Sequence, residues 1–184
     1  ILVKGAREPL KKEIIILVQN AATKGFSALK AQALREKIQD INKVEKAFVK
    51  LSTDGLVFVE VIQRKEAVVY FNNHLYEVLD SNGIILSIKQ DYQGLSSFPL
   101  LVGKDGQKNI NELLSLVNEI GSYQSEVLYY EWVGERRWDV HMKNGLVFKL
   151  PENNLSEGLV VMRMFLNETD KLLKPIVSVD LRNI

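Results

Sequence analysis

Residues 136–151 read RRWDVHMKNGLVFKLP, and this stretch indicates the fold more clearly than any other part of the chain. Trp138, Val140 and Met142 alternate with polar residues up to Asn144-Gly145, and apolar residues alternate again beyond that turn. Asn-Gly between two alternating runs is the strongest short-range signal of a β-hairpin. The stretch therefore predicts two antiparallel strands with one buried face.

The end of the chain, residues 176–184, reads IVSVDLRNI and predicts a further strand. Val177, Val179 and Leu181 alternate with polar residues, which is the period of a strand with one buried face. No strand follows it in the sequence, so we expect it at the edge of a sheet. Unpaired N–H and C=O groups at such an edge can pair with another chain.

The remaining pattern divides into two segments. The first reads strand (1–5), two helices, and two strands joined by the turn at 52–55. The second begins near residue 67 with short strands, a helix for which Asn109 and Glu112 predict a capping box, a strand at 127–133, the hairpin and a last helix. The predicted class is α+β, with a first domain at 1–70 and a mixed, mainly antiparallel β-domain with two helices at 71–184.

Composition narrows the functional classes. The 184 residues carry a net charge of +1, with Lys and Arg dispersed among acids, which argues against a nucleic-acid surface. The absence of cysteine excludes thiol catalysis, Cys-ligated zinc and disulfides. The longest apolar run, 14–18, is far below the roughly 20 residues that span a bilayer. The chain begins with Ile rather than Met, which indicates a partial or processed chain.

No catalytic or cofactor site is predicted. His74 and His141 are the two histidines of the chain, too few for a multi-histidine metal site. Asp139 and His141 would share one face of a strand and are a candidate acid–base pair. The favoured interpretation is that they are simply two polar residues on the solvent face of a hairpin. Asp80, Asn82 and Gly83 match part of a calcium loop, but the glutamate that such a loop needs further on is missing, and a plain β-turn explains these residues. Phosphate-binding loops and nucleophile-elbow sequences are missing.

Two groups of residues near the hairpin, one aromatic and one basic, allow more than one interpretation. Tyr129, Tyr130 and Trp132 could form a stacking platform, but alternate residues of such a strand more often enter the core. Arg136 and Arg137 are by default solvated charges, and they could also clamp a partner's carboxylate. The sequence favours the structural interpretation for both groups.

Several motifs in order resemble the periplasmic region of the bacterial cell-division family FtsQ/DivIB. The segments INKVEKAFVK (41–50) and LVFVEVIQRKEAV (56–68) resemble the second half of a POTRA domain. LDSNGIIL (79–86), FPLLVG (98–103), the hairpin at 136–151 and VSVDLR (177–182) match four further family signatures. The chain departs from the family pattern at Gln63, Glu66 and Asn183, where a glutamate, a proline and an aromatic residue respectively are usual.

The resemblance implies a POTRA domain followed by a β-domain, in a parent protein held in the inner membrane by one preceding transmembrane helix, with this region in the periplasm. It implies a scaffold of the divisome rather than an enzyme, with FtsB/DivIC-like and FtsL-like division proteins as partners. The family's β-domain adds a partner strand to its last strand, and flanking arginines meet partner acids. Carried over by position, the expected partner-binding residues are Arg136, Val179, Asp180, Leu181, Arg182 and Asn183.

Two other functions stay open from the sequence. A POTRA-type chaperone module of outer-membrane assembly or secretion would also use strand addition, but such proteins usually carry POTRA repeats in tandem. An enzyme built on Asp139 and His141 is the weaker alternative.

Overall fold

The computed structural model describes residues 1–22, 28–168 and 176–184, and it divides the chain into two units. The units are Ile1–Lys65 and Glu66–Ile184. The sequence pattern placed the boundary near residue 70, which falls inside the strand Val68–Asn72 of the second unit. The structure therefore divides the chain a few residues earlier, in the short connection that precedes this strand.

The first unit has the β-α-α-β-β order predicted from the sequence. Its elements are β1 (Leu2–Lys4), α1 (Leu10–Ala22), α2 (Ala28–Gln39), β2 (Val44–Leu51) and β3 (Val57–Gln63). The described strands form a sheet of order β1-β3-β2, in which β1 is parallel to β3 and β2 is antiparallel to it. This confirms the α+β interpretation of the segment.

One face of this small sheet forms the core of the first unit. Val57, Val59 and Val61 alternate along β3 and are buried, and Ile14 and Val18 of α1 belong to the same core cluster. Burial of a branched aliphatic side chain contributes on the order of 2 kcal/mol. The helices therefore cover one face of the sheet, and the opposite face is left open to solvent.

The second unit is built on a larger mixed sheet. Its elements are β4 (Val68–Asn72), β5 (Leu75–Leu79), β6 (Ile85–Lys89), β7 (Leu100–Val102), α3 (Ile110–Ile120), β8 (Val127–Val133), β9 (Arg137–Met142), β10 (Val147–Lys149), α4 (Leu155–Glu168) and β11 (Ser178–Asp180). The described strands have the order β11-β10-β9-β8-β7-β4-β5-β6. The β7–β8, β4–β7 and β10–β11 pairs are parallel, and the others are antiparallel.

Helices α3 and α4 cover one face of this sheet. Leu113 and Leu116 of α3 and Met162 of α4 share a single cluster with Trp138 and Phe148 of the hairpin. Tyr130 and Trp132 enter the same core, so the structural interpretation of the aromatic strand holds, and Tyr129 lies on the opposite face. The core thus lies between the two helices and the face of the sheet that β8, β9 and β10 form.

The central hairpin forms as the Asn-Gly signal predicts. Strands β9 and β10 pair antiparallel, with His141 opposite Val147. Gly145 has φ +87°, a conformation that favours glycine, and its N–H donates to the carbonyl of Met142 at 3.0 Å. This hairpin fixes the position of β10, on which the last strand rests.

Three local predictions are wrong or incomplete. Asn109 makes no side-chain cap, because a 3₁₀ turn (Gly106–Asn109) runs directly into α3 and replaces the capping box. Strand β6 was not predicted. The last strand was predicted over 176–184, but β11 has only three residues, and Val177 is 75% exposed although the alternation placed it inside.

The Asp80 turn is a plain β-turn rather than a cation loop. The Oδ1 atom of Asp80 accepts from the backbone N–H of Asn82 at 2.9 Å and of Ile84 at 2.8 Å. Among the described residues, no cluster of side chains could hold a metal ion. Within the same residues, no helix combines the length and the apolar character needed to cross a bilayer.

A candidate partner-binding edge

Strand β11 lies at one edge of the larger sheet, within the residues that the structure describes. Its inner side is held by backbone bonds to β10: the N–H of Val147 donates to the carbonyl of Val177 at 3.1 Å, and the N–H of Leu181 donates to the carbonyl of Lys149 at 2.9 Å. In a parallel ladder the residues between such contacts direct their backbone groups to the other side. Ser178 and Asp180 therefore present their N–H and C=O groups outward, where another strand could pair.

The edge ends in a turn that Asp180 and Arg182 hold together. The Oδ1 atom of Asp180 accepts from the backbone N–H of Arg182 at 3.1 Å. The Nε atom of Arg182 also lies 2.8 and 3.0 Å from the two carboxylate oxygens, and its Nη2 donates to Oδ2. A carboxylate that binds its own chain in this way no longer continues the strand. The pair explains why β11 stops at Asp180.

The same contacts lower the pKa of Asp180. The hydrogen bonds from the Arg182 side chain and backbone favour the charged carboxylate and hold its pKa well below the ordinary 3.8. The stability that the pair contributes is therefore present above pH 3.8 and is lost as pH falls through the lowered pKa. Both side chains are exposed, so this contribution is small.

We expect the Asp180 carboxyl group to titrate below 3.8 in a ¹³C NMR pH titration of the 184-residue chain. Arg182→Gln should return its midpoint toward the ordinary value, because the charged hydrogen bonds are removed. Arg136→Gln, which leaves the pair intact, should not move the midpoint. An ordinary midpoint in the unchanged protein would show that the pair does not persist in solution.

Arg136 and Arg182 lie at the same end of the sheet. Strand β10 runs antiparallel to β9 and parallel to β11, and Lys149 lies opposite both Asp139 and Asp180. The residue before β9 and the residues after β11 are therefore on a common side, with β10 between them. Arg182 therefore lies beside the edge strand and Arg136 lies at the same end of the sheet two strands further in, and both are suited to acids of a partner that binds at this end.

The two adjacent arginines of the hairpin differ in their surroundings. The Nε of Arg137 lies 3.0 Å from the Oδ1 of Asp139, and both side chains are mostly buried. Arg136 is exposed, and it makes no ion pair within the described residues. Arg137 therefore supports the sheet, and Arg136 is the cation of this pair that a partner can reach.

Asp139 and His141 point to the same side of β9 but do not pair with each other, and Asp139 is 5% exposed, so the solvent-facing interpretation is wrong for that residue. The Nε2 of His141 lies 2.7 Å from the Oε2 of Glu131 on β8, and the His141 ring stacks on Tyr129 with centroids 4.2 Å apart. Asp139 binds Arg137 instead. The candidate acid–base pair of the sequence is thus two separate contacts, one within β9 and one between β9 and β8.

The remaining expected site residues occupy different environments. Arg182 and Asn183 are exposed, and Val179 is half-buried against the core. Leu181 is 5% exposed and belongs to the core, so its side chain anchors the end of β11 and is not open to a partner. Ser178 was not in the expected set, and it presents outward backbone groups. The sequence contains the alternation, but the direction of the backbone groups depends on the parallel pairing with β10.

Comparison with known proteins supplies the family. The model of the "Cell division protein FtsQ/DivIB, C-terminal" family matches residues 67–182, which is more than half of the chain. The chain belongs to the FtsQ/DivIB family of cell-division proteins. The resemblance drawn from the ordered motifs is thereby confirmed.

Two curated relatives of the FtsQ/DivIB family show how much of the chain is similar. The cell division protein FtsQ of Zymomonas mobilis is 29% identical over 143 residues, which cover 77% of this chain and 45% of that protein. The FtsQ of Bradyrhizobium diazoefficiens is 27% identical over 183 residues, which cover 99% of this chain and 53% of that protein. The chain thus spans about half the length of the curated relatives it matches.

A solved structure of the FtsQ/DivIB family is also similar to part of the chain. It is the major extracytoplasmic domain of DivIB from Geobacillus stearothermophilus, at 17% identity and a TM-score of 0.42, and the match covers 61% of this chain and 98% of that one.

Proposed function

We propose that this chain acts as a non-enzymatic scaffold of the divisome and binds FtsB/DivIC-like and FtsL-like division proteins by strand addition to β11. The observation that carries the proposal is the outward backbone edge of Ser178 and Asp180, which lies at the end of the sheet within the described residues. An exposed strand edge gives affinity through backbone hydrogen bonds, and neighbouring side chains give register. The family supports the biological context of cell division.

The proposal assigns different roles to the residues at the edge. Ser178 and Asp180 supply the backbone donors and acceptors, and Leu181 fixes the strand to the core. Arg136 meets an acid of the partner directly. Arg182 can do so only after its guanidinium leaves Asp180. Val179 and Asn183 border the added strand.

The proposal also includes the surroundings of the chain. The parent protein is held in the inner membrane by a single transmembrane helix, and this region works in the periplasm, where it connects early and late division proteins. The first unit, with its β-α-α-β-β order, serves as the POTRA module of this scaffold.

Ser178→Pro is the sharpest test of strand addition. The substitution removes an N–H that points away from β10, and proline is tolerated on an edge strand when its missing N–H would face solvent. The partner to test is the membrane-distal segment of the FtsB-like protein from the same organism. We expect Ser178→Pro to bind it at least about tenfold more weakly, because a backbone hydrogen bond is lost and the proline ring blocks the approach of the added strand. Isothermal titration calorimetry with the 184-residue chain measures this change.

Ser178→Ala is the matched control, because it removes the hydroxyl and keeps the N–H. It should bind as the unchanged chain does, and both variants should give the circular dichroism spectrum of the folded protein. Arg136→Glu should also weaken binding in the same assay, through charge repulsion with a partner acid. Equal affinity for Ser178→Pro and Ser178→Ala would rule out pairing at this edge.

A further inference from the structure

The open face of the first unit's sheet carries large apolar side chains that the fold does not use. The outward residues of its strands include Leu2 of β1, Phe48 of β2, and Phe58 and Ile62 of β3, and we call these four the outer-face patch. Phe48 is 55% exposed, Leu2 46%, Ile62 45% and Phe58 37%. On the surface of soluble proteins, clustered large apolar side chains mark interaction sites more often than scattered single ones do.

Strand register brings the outer-face patch together. Leu2 lies directly opposite Phe58, and Phe48 lies opposite Glu60, so it is the diagonal neighbour of both Phe58 and Ile62. Diagonal positions on neighbouring strands are about 7–8 Å apart, within reach of aromatic side chains. The four side chains therefore form one continuous surface that spans all three described strands.

Lysines surround the outer-face patch on the same face. Lys4 lies opposite Glu60, whereas Lys46 lies opposite Ile62 and Lys50 opposite Phe58. All four charged side chains are exposed, and none forms an ion pair within the described part of the chain. Because Lys4 and Glu60 are oppositely charged neighbours, the excess positive charge lies on the β2 side, at Lys46 and Lys50.

We propose that this face is a docking surface for an acidic amphipathic helix of another protein. The apolar stripe of the helix would cover the outer-face patch, and its acidic flank would lie toward Lys46 and Lys50. The inner face of the sheet is already covered by α1 and α2, and a helix is the element that covers the face of a sheet in layered α+β folds. The surface belongs to a different unit from β11, so the proposal does not depend on strand addition.

The position of Glu60 favours a protein partner over an anionic membrane. Glu60 stands opposite Lys4 on one side and Phe48 on the other, in the middle strand of the face. Insertion of the patch into a bilayer would carry this charge toward the hydrocarbon, where desolvation is costly. A helix can instead place a polar side chain over Glu60 and leave it hydrogen-bonded.

A synthetic probe can test the charge and the location together. The probe is an amphipathic helix of about 18 residues, long enough to be partly helical alone, with leucine on one face and glutamate on the flanks. We expect its addition to shift the backbone NMR signals of β1, β2 and β3 in the 184-residue chain. Lys46→Glu/Lys50→Glu should weaken binding about fivefold or more, because attraction at two positions becomes repulsion.

Two control variants separate this surface from general charge effects. Lys12→Glu/Lys37→Glu changes the net charge by the same amount on the exposed sides of α1 and α2, and it should leave the affinity unchanged. Phe48→Ser, at an exposed position, should abolish the shifts without unfolding the unit. The proposal is overturned if a lysine-flanked helix binds equally well, if no shifts occur, or if vesicles of phosphatidylcholine and phosphatidylglycerol bind this face in preference to the acidic helix.

Discussion

Gly103→Ala should lower the free energy of unfolding of the second unit by about 3–5 kcal/mol, as the sum of backbone strain and overpacking. Gly103 follows β7 with φ +107°, a conformation that L side chains rarely adopt. A Cβ atom at this position would lie 2.3 Å from the carbonyl oxygen of Trp132 on β8. Because the obstacle is backbone, it cannot turn aside as a side chain would, and the β7–β8 pairing must shift.

Urea unfolding followed by tryptophan fluorescence measures this effect on the second unit alone, since both tryptophans, Trp132 and Trp138, belong to it. Gly94→Ala is the matched control. Gly94 also has a positive φ, +76°, but a Cβ there meets nothing within 4 Å. Gly94→Ala should therefore lower the free energy of unfolding by only about 1 kcal/mol, because it introduces the backbone strain but no steric clash. Similar losses for the two variants would show that the close approach at Trp132 does not matter.

Trp138→Ala should lower the free energy of unfolding of the second unit by about 3–5 kcal/mol, which is the range for large-to-small changes at buried aromatic residues. Trp138 is 1% exposed, and its ring lies 4.8 Å from that of Trp132, centroid to centroid. The carbonyl of Trp138 accepts from the N–H of Leu150 at 2.9 Å, so Trp138 belongs to the β9–β10 hairpin that supports β11. Removal of its ring would leave a cavity in the core under this hairpin. Urea unfolding followed by far-ultraviolet circular dichroism measures the loss.

Trp138→Phe provides the comparison for this second variant. It keeps an aromatic ring in the core and removes an indole N–H that has no hydrogen-bond partner among the described residues. We expect it to lose less than half as much stability as Trp138→Ala. If alanine and phenylalanine cost the same, the stability at this position does not come from filling the core.

The hairpin and the order of elements were predictable because their signals are local. Asn144-Gly145 fixes a turn by backbone conformation, and alternation on both sides fixes which residues enter the core. The same reasoning failed at Val177, where alternation predicted burial, because no element of the described residues covers that position and the residue is 75% exposed. Strand β6 was missed because its five residues, ILSIK, do not alternate regularly between apolar and polar, so they carry no clear period-2 signal.

The candidate partner-binding edge was predictable in place but not in detail. The alternation near Val179 and Leu181 predicts a strand, and its place after the other predicted strands led to the expectation of an edge position. Which backbone groups point outward depends on whether β11 pairs parallel or antiparallel, and residue spacing carries no information on that choice. The pairing of Asp180 with Arg182 was also hidden, because a strand that continued to the end would have directed the two side chains outward without the turn that joins them.

In the proposed binding mode, the contact between Asp180 and Arg182 means that a partner acid would replace an existing ion pair of Arg182 and would not add a new one. An incoming acid that takes Arg182 must leave Asp180 without its guanidinium, so the number of ion pairs stays the same before and after binding. Electrostatic gain at Arg182 is therefore only a difference between two similar contacts, and dissolved salt screens both sides of that difference. Arg136 has no such competitor among the described residues, so in the proposed complex the salt sensitivity and the rate of association would depend mainly on that single arginine.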